Sequence, residues 1–410
     1  MGKNGYQKGI ENFSQNYKIL VLISITIARA VYALNWYTLS PDLSQVSKAF
    51  TVSTSNLGIL EAAFLVGAGL FQIPSTIGSA RWGTKSFCVG GMLLIGASNL
   101  FAGLANSFAL LVLLRFTLGI GASMFFAPAI AVVGQLFRSE RQGLAIGIYN
   151  SAFSIGGSFA LFGWAYVDSF FTWRGGLIIG AVLAVALGVE NYIIIRRSNE
   201  EPGKLSRAIE AAKGVLRNKQ VWLLGSGIIG VWAGYYVIGQ FLPFFEETVR
   251  GVSGNTASLM AAQIFLWPIP GAVLGGILSD RYRNRRQFML IPSLVFGAGT
   301  ALLGFSTFDE TWLILVILGI ADSFIFTALY ASVYQMPELN FDQKIMSIAL
   351  MNSIEITGAF FGPVVFSRVA SFSYSYAWLA VGILIIPFCF ALAIAREPFK
   401  SLQKQAGSVS

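Results

Sequence analysis

The stretch Ile269-Pro270-Gly271-Ala272-Val273-Leu274-Gly275-Gly276-Ile277-Leu278-Ser279-Asp280-Arg281-Tyr282-Arg283-Asn284-Arg285-Arg286 runs from an apolar segment containing Pro and Gly into a tight basic turn. An earlier stretch, Gln72-Ile73-Pro74-Ser75-Thr76-Ile77-Gly78-Ser79-Ala80-Arg81-Trp82-Gly83-Thr84-Lys85, does the same. Apolar blocks of about 20 residues flank both, which is the length a helix needs to cross a hydrocarbon layer. The two turns therefore read as equivalent connections between membrane spans, one in each half of the chain. A duplicated half of this kind is a recurrent pattern of secondary carriers.

Working outward, the same reading extends over the chain. Of its 410 residues, 55% are hydrophobic and 11% charged. A soluble domain carries about 25% charged residues, so this chain lacks the polar groups to cover a water-facing surface. The apolar blocks predict spans at 18–40, 55–79, 85–106, 109–137, 142–167 and 176–195, then 219–245, 255–279, 287–307, 311–336, 343–368 and 375–396. The expectation is an all-α membrane protein of twelve transmembrane helices, in two six-helix bundles related by a pseudo-two-fold axis. The halves are residues 1–197 and 219–410, joined by a linker at 198–218. In that linker region Leu205, Ala208, Ile209, Ala212, Val215 and Leu216 recur at helical spacing. They predict an amphipathic helix on the cytoplasmic membrane surface, the alternative being a loose tether.

Charge placement sets orientation. With the N-terminus inside, the connections on that side hold 22 of the 28 Lys and Arg residues. The other side holds only Lys48, Arg174, Arg250 and Arg368, and Arg29 and Arg115 fall within spans. The positive-inside rule then puts both termini in the cytoplasm of a multi-pass cell-membrane protein. It also accounts for the net charge of +9 without nucleic acid. Cys88 and Cys389 read as small core residues, the chain has no His, and no metal-ligand spacing or GxxxxGK[ST] loop occurs. No cofactor is expected, and an enzyme is disfavoured because no nucleophile or acid–base cluster can be assembled.

The paired turns resemble the major facilitator superfamily. Gly276, Asp280, Arg281, Arg285 and Arg286 stand on the positions of that family's signature loop, and Arg81, Gly83 and Lys85 on a degenerate copy with Ala80 in place of the usual Asp. Arg115-Phe116-Thr117-Leu118-Gly119-Ile120-Gly121 is similar to its span-four motif. Arg138 to Gly143 is similar to its entry to span five, and Trp173-Arg174-Gly175-Gly176 to its start of span six. The resemblance implies alternating access, with Asp280 and the adjoining arginines acting as a gate at the cytoplasmic side. The bland reading of those arginines is that they only set topology.

A charge in mid-span is costly enough to need a reason. Arg29 shares a helix face with Tyr32, Ala33 and Trp36, which suits a carboxylate. Its alternative is an internal ion pair with Glu355 or Asp322. A carboxyl group withheld from water favours its protonated form, so Glu355 and Asp322 are candidates for proton coupling. Glu61 and Arg115 are further candidates. For Glu61 the alternative is an interfacial acid facing water, and for Arg115 an anchor to carbonyls. Tyr149, Asn150, Tyr236, Gln240, Gln263, Trp267, Tyr330 and Asn352 complete a candidate substrate cavity, each with core packing as its plain alternative. The resulting expectation is a monomeric carrier in the lipid bilayer for a small organic anion, proton-coupled or facilitative. The rivals are a drug or metabolite exporter of the same fold and a carrier-fold sensor.

Overall fold

The structure is a computed structural model that describes residues 13–137, 139–196, 204–282 and 284–397. The side chains of residues 139–143, 204, 280 and 282 lie outside that description. Every regular element among the described residues is helical.

Small polar residues open the helices, as their capping chemistry requires. Ser14 caps α1 (Gln15–Trp36), accepting from the Tyr17 amide. Ser107 caps α6 (Phe108–Leu136) in the same way. Between them lie a 3-10 turn (Ser40–Asp42), α2 (Leu43–Phe50), α3 (Thr54–Leu70), α4 (Gln72–Trp82) and α5 (Thr84–Gly103). The basic turn joining α4 to α5 is made by Gly83 at φ 95°, a conformation that favours glycine. A long helix, α7 (Ser139–Ile194), follows, and then α8 (Lys204–Leu216), α9 (Lys219–Gly227), α10 (Ile229–Arg250), α11 (Gly254–Ala261), α12 (Gln263–Leu266) and α13 (Pro268–Tyr282). The chain ends with α14 (Arg285–Leu302), α15 (Phe308–Tyr334), α16 (Phe341–Gly358), α17 (Phe361–Ala370) and α18 (Tyr374–Ile394). Thr307 and Asn340 form reciprocal capping boxes with Glu310 and Gln343 at the starts of α15 and α16.

Among the described residues, nine helical stretches are long and apolar enough to cross a membrane. The count is ten when α3 and α4, bent by 44° at Phe71, form one span. The expected twelve is reached only by two further steps. Leu144–Ile194 must be divided at Thr172, whose φ of 60° and ψ of 167° leave the helical region. A straight helix of its 51 residues would be about 76 Å long, more than twice a bilayer core. The other step is to count α14, whose hydropathy is lowered by Arg285, Arg286 and Gln287.

The helices form two clusters. In the first, α1 packs on α7, α5 on α6 and α7, and α3 on α6. In the second, α14 packs on α15 and α18, α13 on α15, and α10 and α17 on α18. Bare backbone makes the closest crossings: a Cβ on Gly67 would lie 2.2 Å from the Phe116 carbonyl, and one on Gly382 2.5 Å from that of Gly297. The clusters meet where α3 lies against α16 and α17, and α7 against α11 and α12.

The two ends of the assembly differ. At the far end, opposite the basic turns, hydrogen bonds join the clusters. Ser40 donates to the Gly239 carbonyl at 2.5 Å, Ser367 to that of Ser55 at 3.3 Å, and Ser44 to Glu247 at 3.4 Å. Tyr37 also packs edge-on against Phe265. Toward the basic end the clusters enclose a space of about 340 Å³ between Thr76, Gln135, Tyr334 and Met346.

Helix α8 borders that space. The helix forms as its periodicity predicts, but Ala211, Ala212 and Val215 are buried against α4 and α16, leaving Ile209 and Leu216 exposed. Its alanines are small enough to let helices approach closely, and Arg207 sits 3.7 Å from Asp342 on α16. On its buried side the helix straps α4 of the first cluster to α16 of the second.

Candidate functional site

Between the clusters, at the depth where α4 starts at Gln72 and α13 at Pro268, lies a cavity of about 360 Å³. Broken helices at such a depth expose backbone and polar side chains where a continuous helix would not. Pro74 contributes to the first break, because it has no N–H to offer the Leu70 carbonyl one turn earlier.

Arg29 projects from α1 into this cavity and is 7% exposed. Its guanidinium carbon lies 4.3 Å from the ring centre of Tyr32, 4.6 Å from Phe126, 4.7 Å from Phe153 and 5.5 Å from Tyr149. The rings offer their negative faces to the cation, but Nε and Nη1 find no hydrogen-bond acceptor. Among the described residues no carboxylate lies within ion-pairing distance of Arg29, so the internal pair with Asp322 or Glu355 is not formed in this conformation.

Asp322 lines the same cavity from α15, with Oδ1 unpartnered. Glu355 is wholly buried on α16, with the Trp232 indole beside its carboxylate. Tyr32, Trp36, Asn150, Tyr330 and Asn352 also line the cavity, with the Tyr330 hydroxyl 3.4 Å from the Asn352 oxygen.

Other candidates stand elsewhere. Tyr149 is buried behind Arg29, donating to the Phe126 carbonyl at 3.2 Å. Gln263 and Trp267 bond to each other at 3.1 Å across one helical turn and do not line the cavity. Gln240 donates to the Trp36 carbonyl at 3.1 Å. Glu61 is fully buried rather than interfacial, because Arg115 reaches it from α6 at 2.6 Å. The Tyr236 hydroxyl of α10 donates to the same carboxylate oxygen at 2.8 Å, and Arg115 also donates to the Trp36 carbonyl at 3.2 Å. Glu61, Arg115 and Tyr236 thus join the two clusters on the far-end side of the cavity.

Of the gate candidates, Arg81 is exposed beside Trp82, Lys85 lies 4.5 Å from the Tyr192 ring centre, and open space surrounds the position of a Cβ on Gly276. Arg281 is exposed. Arg285 is buried, and Arg286 binds the end of α18, donating from its side chain to the Ala393 carbonyl and from its amide to Glu397. The Asp280 side chain lies outside the described residues.

One polar residue of the cavity escapes a reading of charges. Gln72 is 0% exposed, lines the cavity, and has neither amide atom partnered. The available signal was its place two residues before a proline inside an apolar block.

A family model described as Major Facilitator Superfamily matches residues 25–337 and 250–408. The chain is 23% identical over 278 residues to the probable L-galactonate transporter of Escherichia coli (strain K12), covering 63% of this chain and 61% of that one. It is 22% identical to the hexuronate transporter of Bacillus subtilis (strain 168), over 95% of this chain and 97% of that one. Among solved structures it is similar to a bacterial homolog of the human lysosomal transporter Spinster, crystallised in an inward-facing and occupied conformation. That match has a TM-score of 0.75 and 17% identity, over 93% of this chain and 97% of that one.

Proposed function

The chain belongs to the Major Facilitator Superfamily, and on that premise we propose that it carries a small organic anion across a cell membrane by alternating access, coupled to protons or down the anion's own gradient. One observation carries the anion: the Arg29 guanidinium lies buried in the cavity between the clusters, ringed by aromatics, with Nε and Nη1 unpartnered and no carboxylate paired with it among the described residues. A planar fork of this kind fits a carboxylate in two parallel hydrogen bonds. The L-galactonate and hexuronate transporters among its relatives support the same class.

In this reading both termini are cytoplasmic, and the far end is the outside. The joined far end and the space at the basic end then describe a carrier closed to the outside. Asp322 in the cavity and Glu355 behind it exchange the coupling proton, and Glu61, Arg115 and Tyr236 hold the outer side shut. Asp280, Arg281 and the degenerate turn at Arg81, Gly83 and Lys85 serve the cytoplasmic gate.

The test is flux into proteoliposomes of labelled anions, sugars and amino acids, with and without a pH gradient. Anion uptake is expected, and Arg29→Ala should reduce it at least 100-fold. Arg29→Lys should restore little, since an ammonium lacks the planar fork. Uptake of neutral or cationic solutes that survives Arg29→Ala would overturn the reading. Binding of an anion with no flux under any gradient would favour a sensor instead.

A further inference from the structure

The buried polar atoms around the cavity are unbalanced. Among buried side-chain atoms of residues that line it, unpartnered donors are Arg29 Nε and Nη1, Gln72 Nε2, Trp36 Nε1 and Trp232 Nε1, whereas unpartnered acceptors are Gln72 Oε1 and Asp322 Oδ1. A ligand completes such a site when it brings acceptors, because each buried donor left without one opposes binding. A polyhydroxylated acid brings a hydroxyl hydrogen with nearly every oxygen, and each of those needs an acceptor in turn.

The cavity's walls point the same way. Phe153 meets Trp36 edge-on at 5.4 Å, Trp36 lies 6.2 Å from Trp232, and Trp232 meets Phe326 edge-on at 5.9 Å. This row of rings runs from one cluster to the other, so a flat apolar body lying along it touches both halves of the protein. Edge and face contacts of this kind suit another aromatic or conjugated system.

Resting on the anion reading above, we propose that the preferred cargo is a flat, donor-poor carboxylate of the aryl or conjugated class, and that Gln72 reads it together with Arg29. The carboxylate takes the Arg29 fork, the body lies along the rings, and the Gln72 amide supplies a further hydrogen bond from the start of α4.

The experiment is a melting-shift titration of the purified full chain with cinnamate, benzoate, gluconate and glucuronate. Cinnamate and benzoate should reach half-maximal shift at concentrations at least 10-fold lower than the two sugar acids. Gln72→Leu should weaken cinnamate about 10-fold, and Gln72→Glu, which places a negative charge beside the cargo, should weaken it further. Neither change should move the ligand-free melting temperature by more than the Arg29→Ala control. If the sugar acids bind as well as or better than the aryl acids, and Arg29→Ala removes that binding, the substrate class is wrong and the anion reading stands. If no anion shifts the melting curve, or Arg29→Ala leaves the shifts unchanged, the anion reading falls and this inference with it. The comparison of acids on the unaltered protein decides the class even if a Gln72 variant does not fold.

Discussion

Arg115→Ala is expected to destabilise the protein by about 3–5 kcal/mol, the cost typical of stranding one member of a buried ion pair. Glu61 and Arg115 are each wholly withheld from solvent, and their 2.6 Å contact is the only ion-pair contact either makes among the described residues. Removing the guanidinium leaves the Glu61 carboxylate with the Tyr236 hydroxyl alone. Glu61→Ala should cost a similar amount by stranding the arginine. The double variant Glu61→Leu with Arg115→Met should recover most of the loss, because two apolar side chains leave no charge to desolvate. Thermal unfolding of the detergent-purified variants measures all three. A double variant as unstable as the sum of the singles would show that the pair matters through packing rather than charge.

Tyr236→Phe separates stability from conformation at the same site. It leaves the ion pair intact and removes the 2.8 Å hydrogen bond that the hydroxyl donates to the charged Glu61, along with the longer 3.4 Å one that it accepts from Arg115; both exist only while α10 lies against the first cluster. Such a bond is worth about 1.5–3 kcal/mol, so the closed far end should lose population by about 10- to 100-fold relative to the open state. Accessibility of a cysteine placed at Ser44, beside the far-end contact with Glu247, reports the change. Unchanged labelling would remove Tyr236 from the closure.

The architecture was legible because two strong signals are local: blocks long enough to span a bilayer, and lysines and arginines crowded at alternate connections. The duplicated turn then tied them to one family. What the sequence concealed depends on backbone that departs from the regular helix. The bend at Phe71 and the breaks around Trp267 lie beside Pro74 and Pro268, and a proline in an apolar block does not by itself say whether the helix kinks, breaks or starts anew. Gln72 stands at that bend and lines the cavity while fully buried, so its place could not be read from a count of charges. Conversely, Glu61 and Arg115 are unremarkable in spacing, on different helices and 54 residues apart, and only the crossing of α3 with α6 reveals them as a pair. Arg29 was placed in the cavity from its aromatic neighbours at one helical turn. The other three rings, Phe126, Tyr149 and Phe153, come from α6 and α7, and nothing in the sequence local to Arg29 announces them.

Gly69→Val is expected to be severely damaging for a substitution in an uncharged position, with loss of flux of at least 10-fold and about 3 kcal/mol of stability. At Gly69 the two clusters meet backbone to backbone: an added Cβ would lie 2.2 Å from the Thr357 hydroxyl oxygen, 2.4 Å from the Thr357 nitrogen and 2.8 Å from its Cα. The hydroxyl can rotate away but the nitrogen and Cα cannot, so α3 and α16 must separate. That separation breaks the 2.8 Å hydrogen bond from Ser353 to the Gly69 carbonyl. It also disturbs the second close approach along the same helix, where a Cβ on Gly58 would lie 2.4 Å from the Pro363 carbonyl. Overpacking in a well-packed interface costs about 1–3 kcal/mol, and a clash with fixed backbone belongs at the upper end. Because the contact joins the halves at the depth of the cavity, forcing it apart also changes the spacing between Arg29 on one side and Asp322 on the other. Thr357→Gly in the Gly69→Val background should therefore recover only part of the loss, since the nitrogen remains. Gly163→Val on α7, where a Cβ meets nothing within 4 Å, is the matched control. If Gly69→Val and Gly163→Val melt and transport alike, the α3–α16 contact is not the tight joint between the halves that its geometry indicates.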